Sequence, residues 1–319
     1  MKLFMQQHPT HHSVQQTAHC LLPTAHCSRR HAEPTAYCQL LLASCLLLFS
    51  CYTPRYVYSP AAHNVPLLLQ KGDSKLAINY SSNLNNKKTS GSQVFRNRSN
   101  GMDAQGAIAI SNKFALQANY FLRNEKNEGN YSTYRDSAVL HYKRKLTEIG
   151  VGYYTKLQPQ GSVMLQLFAG VGFGKFSFTD AGKDNNQVAY ARFHQAAITK
   201  FYVQPAIMYQ YKKRVAASFS SRISIIRFLN IKTDYTSAEL RNFELDSLTL
   251  SPVVFWEPAF VNTIGFKKLP GLRLEYQLGL SVLLSHRFID ARSFNFSLGL
   301  QADLPKLFKK NTSTTQKNN

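Results

Sequence analysis

The sequence predicts an all-β protein, an antiparallel up-and-down transmembrane β-barrel of about ten strands with short periplasmic turns and long outer loops. Apolar and polar residues alternate along run after run, as in Leu272-Arg273-Leu274-Glu275-Tyr276-Gln277-Leu278-Gly279-Leu280-Ser281 and Phe294-Asn295-Phe296-Ser297-Leu298-Gly299-Leu300-Gln301. Period two puts one side-chain set on one face of a strand and leaves the other face polar. The connections between runs alternate short and long, and Gly and Gln collect on the polar face. A membrane barrel shows this asymmetry together with an even strand number.

Each element follows from its own pattern. Residues 75–82 place Leu76, Ile78 and Tyr80 on one face and Ala77, Asn79 and Ser81 on the other. After a polar stretch, 103–110 and 114–123 pair around the tight turn Ser111-Asn112-Lys113. A long polar segment, roughly 124–146, in which Ala138-Val139-Leu140 can extend the next strand, precedes 148–157 and 162–178, joined at Gln158-Pro159-Gln160-Gly161. The loop 179–192 leads to 193–211, which turns at Lys212-Lys213-Arg214 into 215–229. The long segment 230–252 is followed by 253–266, the turn 267–271, strand 272–284, loop 285–292 and strand 293–303. Pro205 and Pro258 fall inside strands that pair on both sides, where a missing N–H predicts a bulge or a slipped register. Asn262, on the apolar face, predicts the same.

The charge narrows the partners. The chain has 319 residues with Lys+Arg 38 against Asp+Glu 17, a formal net charge of +21. Such an excess favours anionic surfaces. The basic residues are scattered, with no recognition helix or zinc-finger spacing, which argues against nucleic acid. The expected partners are outer-membrane lipid and, through basic loops, lipopolysaccharide phosphates. All five cysteines (Cys20, Cys27, Cys38, Cys45, Cys51) lie in the first 51 residues, so the body holds no disulfide or thiolate metal site. The His/Cys near-repeat upstream (Thr17-Ala18-His19-Cys20, Thr24-Ala25-His26-Cys27) fits no zinc spacing. No cofactor is expected, because no helix follows the Gly170-Val171-Gly172-Phe173-Gly174 run.

The stretch 40–50 is apolar, follows Arg29, Arg30 and His31, and has the length of a signal-peptide core. It ends in Leu48-Phe49-Ser50-Cys51, which resembles the lipobox of bacterial lipoproteins. The resemblance implies that Cys51 is the lipid-bearing N-terminus of the mature chain. The expected organisation is a leader at 1–50, whose upstream part reads as a start placed too early. A lipidated tether at 51–74, the barrel at 75–303 and a polar basic tail at 304–319 follow. The expected location is the bacterial outer membrane, with the lipidated N-terminus on the periplasmic side.

Gly150-Val151-Gly152-Tyr153-Tyr154, Gly170-Val171-Gly172-Phe173-Gly174, Gln204-Pro205-Ala206, Phe255-Trp256-Glu257-Pro258-Ala259 and Phe296-Ser297-Leu298-Gly299-Leu300 resemble the uncharacterised outer-membrane β-barrel proteins of the Bacteroidetes type. Leu69-Gln70-Lys71-Gly72-Asp73 is similar to the phrase before their first strand. The resemblance covers roughly 66–303 and implies fold and location, with no activity.

The polar face projects Glu148, Lys200, Gln204, Arg222, Glu257, Arg273 and Glu275 into a narrow lumen, where opposite charges must compensate one another. Outside, Tyr120 and Trp256 near the long loops, and Tyr209, Tyr211 and Phe266 near the short turns, are candidates for two interfacial aromatic belts. His141, His194 and His286, with Asp180, Asp234 and Asp290, lie near loops, but no spacing ties them into a catalytic set. The function expected is non-enzymatic: structural, adhesive or a small-solute pore. Two rivals remain, a soluble lipid-tethered barrel or sandwich binding an apolar ligand, and an outer-membrane hydrolase with a rim active site.

Overall fold

The computed structural model describes residues 55–83, 87–90, 93–130, 137–158, 162–183, 188–211, 214–269, 271–285 and 289–308. The leader, Cys51, Pro159, Lys212, Lys213 and His286 lie outside the described residues.

The first strands are β1 (Tyr56–Tyr58), β2 (Ser74–Ser82), β3 (Lys87–Ser90), β4 (Gln93–Ala109), β5 (Phe114–Asn130), β6 (Ser137–Lys156) and β7 (Val163–Lys183). They are followed by β8 (Ala189–Tyr211), β9 (Val215–Thr233), helix α1 (Ser237–Asn242) and β10 (Val253–Gly265). The chain then forms β11 (Leu272–Leu280), β12 (Val282–Leu283), β13 (Asp290–Ala291), β14 (Phe294–Ala302) and helix α2 (Leu304–Phe308). Ten of these close a single antiparallel barrel in the order β2-β4-β5-β6-β7-β8-β9-β10-β11-β14, and β14 pairs back onto β2. The expected fold class and strand number are those observed.

Side chains alternate across the wall. On β2, Leu76, Ile78 and Tyr80 point outward, while Ala77, Asn79 and Ser81 are buried inside. On β7, Leu165, Leu167 and Phe173 are exposed and Gln166 and Phe168 are buried. The outward set along β5 is apolar or aromatic from Phe114 to Leu122, then turns polar at Asn124 and Lys126. Nine residues at about 3.4 Å each, tilted about 40°, give an apolar band roughly 23 Å tall. This apolar outer wall is the opposite of the polar exterior of a soluble carrier.

The strands are longer than the sequence pattern indicates. Residues 124–130 continue β5 and 137–147 belong to β6, although 124–146 was expected as loop. Above the apolar band both faces of β5 are polar, and on β6 the pattern inverts, with Lys143 and Lys145 outward and Leu140 and Tyr142 inward, so the signal is lost while the backbone ladder goes on. Neither proline makes a bulge. β8 and β9 pair in one register on both sides of Pro205, from Val203–Ile223 to Ala206–Ser220, and the ladder skips the proline. Pro258 stays in register opposite Ser221, and on its other edge β11 and β12 part at Ser281. Asn262 faces outward, half-buried between Ala217 and Tyr276, again without a slip. The one irregularity between β8 and β9 falls between Gln195 and Ala197.

The largest departure from expectation concerns the tether. Residues 55–68 are buried inside the barrel. At the long-loop end Arg55 meets Asp180 at 2.6 Å, and Tyr56 pairs with Asp290 of β13. At the short-turn end the Asp73 carboxylate accepts the Leu69 and Gln70 amides, and Gly72 turns the chain into β2 with a φ of +89°. The segment therefore threads the lumen from the long-loop end to the short-turn end. The described chain starts at the end opposite to the expected periplasmic one, which corrects the placement of its N-terminal part.

Candidate functional site

The lumen is a solid interior built in three layers. Near the long loops, Val57, Tyr58 and Ala61 pack with Tyr142, Phe176, Phe178, Phe228, Tyr235 and Phe255. Tyr58 stacks on Phe255 at 4.6 Å between ring centroids. The connection 234–252 joins this layer through Leu245 and Leu248, and Phe243 lies 4.0 Å beneath the Arg55 guanidinium. Helix α1 is started by a capping box between Thr236 and Glu239. Burial would raise the Glu239 carboxyl, but the Thr236 amide and hydroxyl and Arg192 hold it below its usual value. In the same connection, burial first and then the neighbouring Asp180 charge push the Tyr235 phenol well above its usual value. Near the short turns, Val65, Leu67 and Leu68 pack with Tyr154, Met164, Phe168 and Met208.

Between these apolar layers lies a polar waist. Lys200 Nζ stands 3.0 Å from Glu148 and 3.5 Å from Glu257, and Arg222 stands 3.6 Å from Glu148. Arg222 also donates two hydrogen bonds to Gln204 Oε1, at 2.9 and 2.6 Å. The lumen segment completes the network. The Tyr58 hydroxyl donates to Glu257 at 2.6 Å and accepts from Lys200 at 3.1 Å, while Ser224 donates to the other Glu257 oxygen. Gly172 separates Glu148 from Lys200 across three strands. A Cβ there would stand 3.1 Å from Glu148 Cγ and 3.4 Å from Lys200 Cβ, so glycine leaves room for the ion pair.

The segment's own backbone is held by wall amides. Gln105, Gln166, Gln204 and Gln277 donate to the carbonyls of Ala62, Pro66, Asn64 and His63. An irregular buried chain needs such partners because it has no ladder. His63 Nδ1 lies 2.9 Å from Ser220 Oγ, and Asn64 Nδ2 donates to Asn119 at 2.8 Å.

Five of the seven expected lumen residues (Glu148, Lys200, Gln204, Arg222, Glu257) thus meet in one network. Glu275 belongs to another: it pairs with Lys75 at 2.6 Å and accepts from Asn79 and Gln277. Arg273 stands apart at the short-turn end, donating to the Arg214 carbonyl at 3.4 Å. Three ion clusters were absent from the sequence reading: Asp103 with Arg123, Glu125 with Arg144 and Arg292, and Asp180 with Arg55. Lys75, Asp103, Arg123 and Glu125 share the inward parity of their strands, and that was the available signal.

Tyr120, Tyr209, Tyr211, Trp256 and Phe266 all point outward, and the Trp256 indole donates to Ser221 at 2.8 Å. The rim residues do not converge. His141 faces outward, and Asp234 accepts the Phe193 amide. His194 is buried among Phe176, Phe178 and Tyr235, with neither ring nitrogen hydrogen-bonded among the described residues. Asp180 is taken by Arg55 and Tyr235.

No protein-family model matches the chain, and no curated protein sequence matches it either. Among solved structures, it is similar to the translocator domain of autotransporter NalP from Neisseria meningitidis. That match has 9% identity, covers 84% of this chain and 95% of that one, and has a TM-score of 0.44. The β domain of the Bordetella autotransporter BrkA matches at 9% identity over 73% of this chain and 99% of that one, TM-score 0.42. The outer-membrane protease OmpT of Escherichia coli matches at 11% identity over 73% and 94%, TM-score 0.39. With these scores below 0.5, the barrel rests on its own strand pairing.

Proposed function

We propose that the protein is an integral β-barrel of the bacterial outer membrane, long loops outside, with a non-enzymatic structural or adhesive role and a sealed lumen. The observation that carries this reading is the filled interior within an apolar outer wall: residues 55–68 occupy the space through which a solute would pass. Two apolar layers and an ion-paired waist leave the segment held along its whole path. The small-solute pore expected from sequence is the weaker reading for this state.

Lipid attachment at Cys51 belongs to the same proposal. Radiolabelled palmitate incorporation, lost in Cys51→Ser, checks the attachment; equal labelling of both proteins refutes it.

The first test is gel migration of the detergent-purified protein before and after boiling, with circular dichroism on the unboiled sample. A strand-rich spectrum and a faster unboiled band are expected, and planar bilayers should stay silent. Solubility without detergent and no shift on boiling would overturn the membrane reading. Steady single-channel conductance of the wild type would overturn the sealed lumen.

A further inference from the structure

Most of the charge on the outer wall lies on one side, with Arg227 and Lys232 of β9 as the exposed cations elsewhere among the described strands. On β4–β7, outward-facing residues above the apolar band form cross-strand rows. Arg98 stands opposite Lys126, which stands opposite His141. In the next row Asn100, Asn124, Lys143 and Ser177 follow one another, and in the row below Lys145 faces Lys175 directly. Like charges directly opposite on neighbouring strands are destabilising unless something neutralises them. The one carboxylate among the described outward residues of this wall, Glu128, pairs with Lys126. The described outward residues of β2, β10, β11 and β14 include no lysine or arginine.

Two concavities lie on this same wall. A polar groove of about 180 Å³ opens among Arg98, Asn100, Asn124, Lys126, His141 and Lys143. Lower down, an apolar groove of about 750 Å³ runs over β2 and β4–β7, where Ala118 and Ala169 are small among Leu116, Ile149, Val151 and Val171. Tyr120 and Phe173 lie between the charged rows and the apolar groove. Cations at headgroup height above a groove of acyl-chain character suit one amphipathic ligand.

We infer that this wall binds a phosphorylated, acylated lipid of the outer leaflet, its phosphates on Lys143, Lys145, Lys175 and the Arg98–Lys126 row, its chains against Ala118 and Ala169. The inference rests on the outer-membrane reading and deepens it. A soluble polyanion would gain from the cations but not from the apolar groove; the lipid gains from both. Each basic residue near an anionic lipid surface contributes about a threefold to tenfold gain in affinity.

The test uses full-length protein and phosphatidylcholine mixed micelles doped with diphosphoryl lipid A or with its dephosphorylated form, read by native mass spectrometry. The wild type should retain the diphosphoryl lipid at least about a hundredfold better, a preference that Lys143→Gln/Lys145→Gln/Lys175→Gln abolishes. Ala118→Leu/Ala169→Leu should weaken retention of both lipids by filling the groove. Free inorganic phosphate at millimolar concentration should not displace the lipid. Equal retention of the two lipids, an unaffected triple variant or displacement by free phosphate would each overturn the inference. The boil-shift of the same samples separates this from failure of the membrane reading: a normal shift without phosphate preference refutes the lipid site alone.

Discussion

The apolar ends of the lumen and its charged waist solve the same problem by opposite means. At the ends, aromatic and aliphatic side chains of the threaded segment pack as in a small globular core: Val57 and Tyr58 at one end, Leu67 and Leu68 at the other. At the waist, every charge needs a partner of opposite sign, and the wall supplies it from strands far apart in sequence. The ends tolerate adjustment because dispersion contacts are non-directional. The waist does not, because an orphaned buried charge loses its solvation with nothing in return. The segment is therefore fixed in position by the waist and held in place by the ends.

The largest effect should come from the waist. Lys200→Met leaves Glu257 without an ion-pair partner and Glu148 with Arg222 alone, and should destabilise the barrel by about 3–5 kcal/mol in urea unfolding from detergent or lipid. A loss under about 1 kcal/mol would show that water reaches the waist and that the lumen is not dry. Lys200→Met/Glu257→Gln should regain much of that loss, since the Arg222–Glu148 pair remains and no charge is left alone.

Next come the two ends. Leu140→Ala in the long-loop layer and Met164→Ala in the short-turn layer should each cost about 2–5 kcal/mol. Both side chains are fully buried. Equal costs would make the ends equivalent cores; a much smaller cost at Leu140 would mean that the connection 234–252 collapses into the gap.

Tyr58→Phe keeps the stacking on Phe255 but removes the hydroxyl shared by Glu257 and Lys200. It should cost about 1–3 kcal/mol without opening a conductance. Conductance steps in this variant would mean that the hydroxyl, and not the packing, seals the waist.

The smallest effect concerns α1. The Glu239 carboxyl titrates below its usual value in the folded protein, so its contribution is present at neutral pH and is lost as pH falls through that lowered value. Hydrogen exchange across 237–242, normalised for intrinsic rates, should speed up as pH falls below the ordinary glutamate range with the waist unaffected, and Glu239→Gln should abolish the dependence. An unchanged profile in that variant would assign it to another group.

The membrane-spanning parts of the strands were legible because a single rule, apolar outward, acts at every second residue. From Phe114 to Leu122 and from Val163 to Phe173 every outward residue is apolar or aromatic, although Ala115, Phe121, Met164 and Phe168 also point inward. The upper strand ends were not, because Asn124-Glu125-Lys126-Asn127-Glu128 alternates between two polar environments that a hydropathy pattern cannot separate. The lumen segment was hidden for another reason. Val57, Ala61, Val65, Leu67 and Leu68 show no strand alternation, and Pro60 and Pro66 interrupt a helical reading of their spacing, so the stretch reads as a spacer. Its burial depends on Gln105, Gln166, Gln204 and Gln277, which come from four strands and become neighbours only when the cylinder closes. The pairing of Glu275 with Lys75 likewise spans the seam.

That seam ties assembly to sealing. Strands β2 and β14 zip together with Leu76 opposite Ala302, bringing the two ends of the barrel sequence side by side. Residues 55–68 come shortly before β2 and end up enclosed, so a finished cylinder could be filled only by drawing the preceding chain back through it. The direct route wraps the sheet around a strand of polypeptide already in place, and the last zipper traps it. Closing so long a loop is the slow, entropically costly step of such a topology. The threaded chain gives the nascent sheet an apolar and hydrogen-bonding core to curl around before its edges meet. In this molecule the contents are a template for the container.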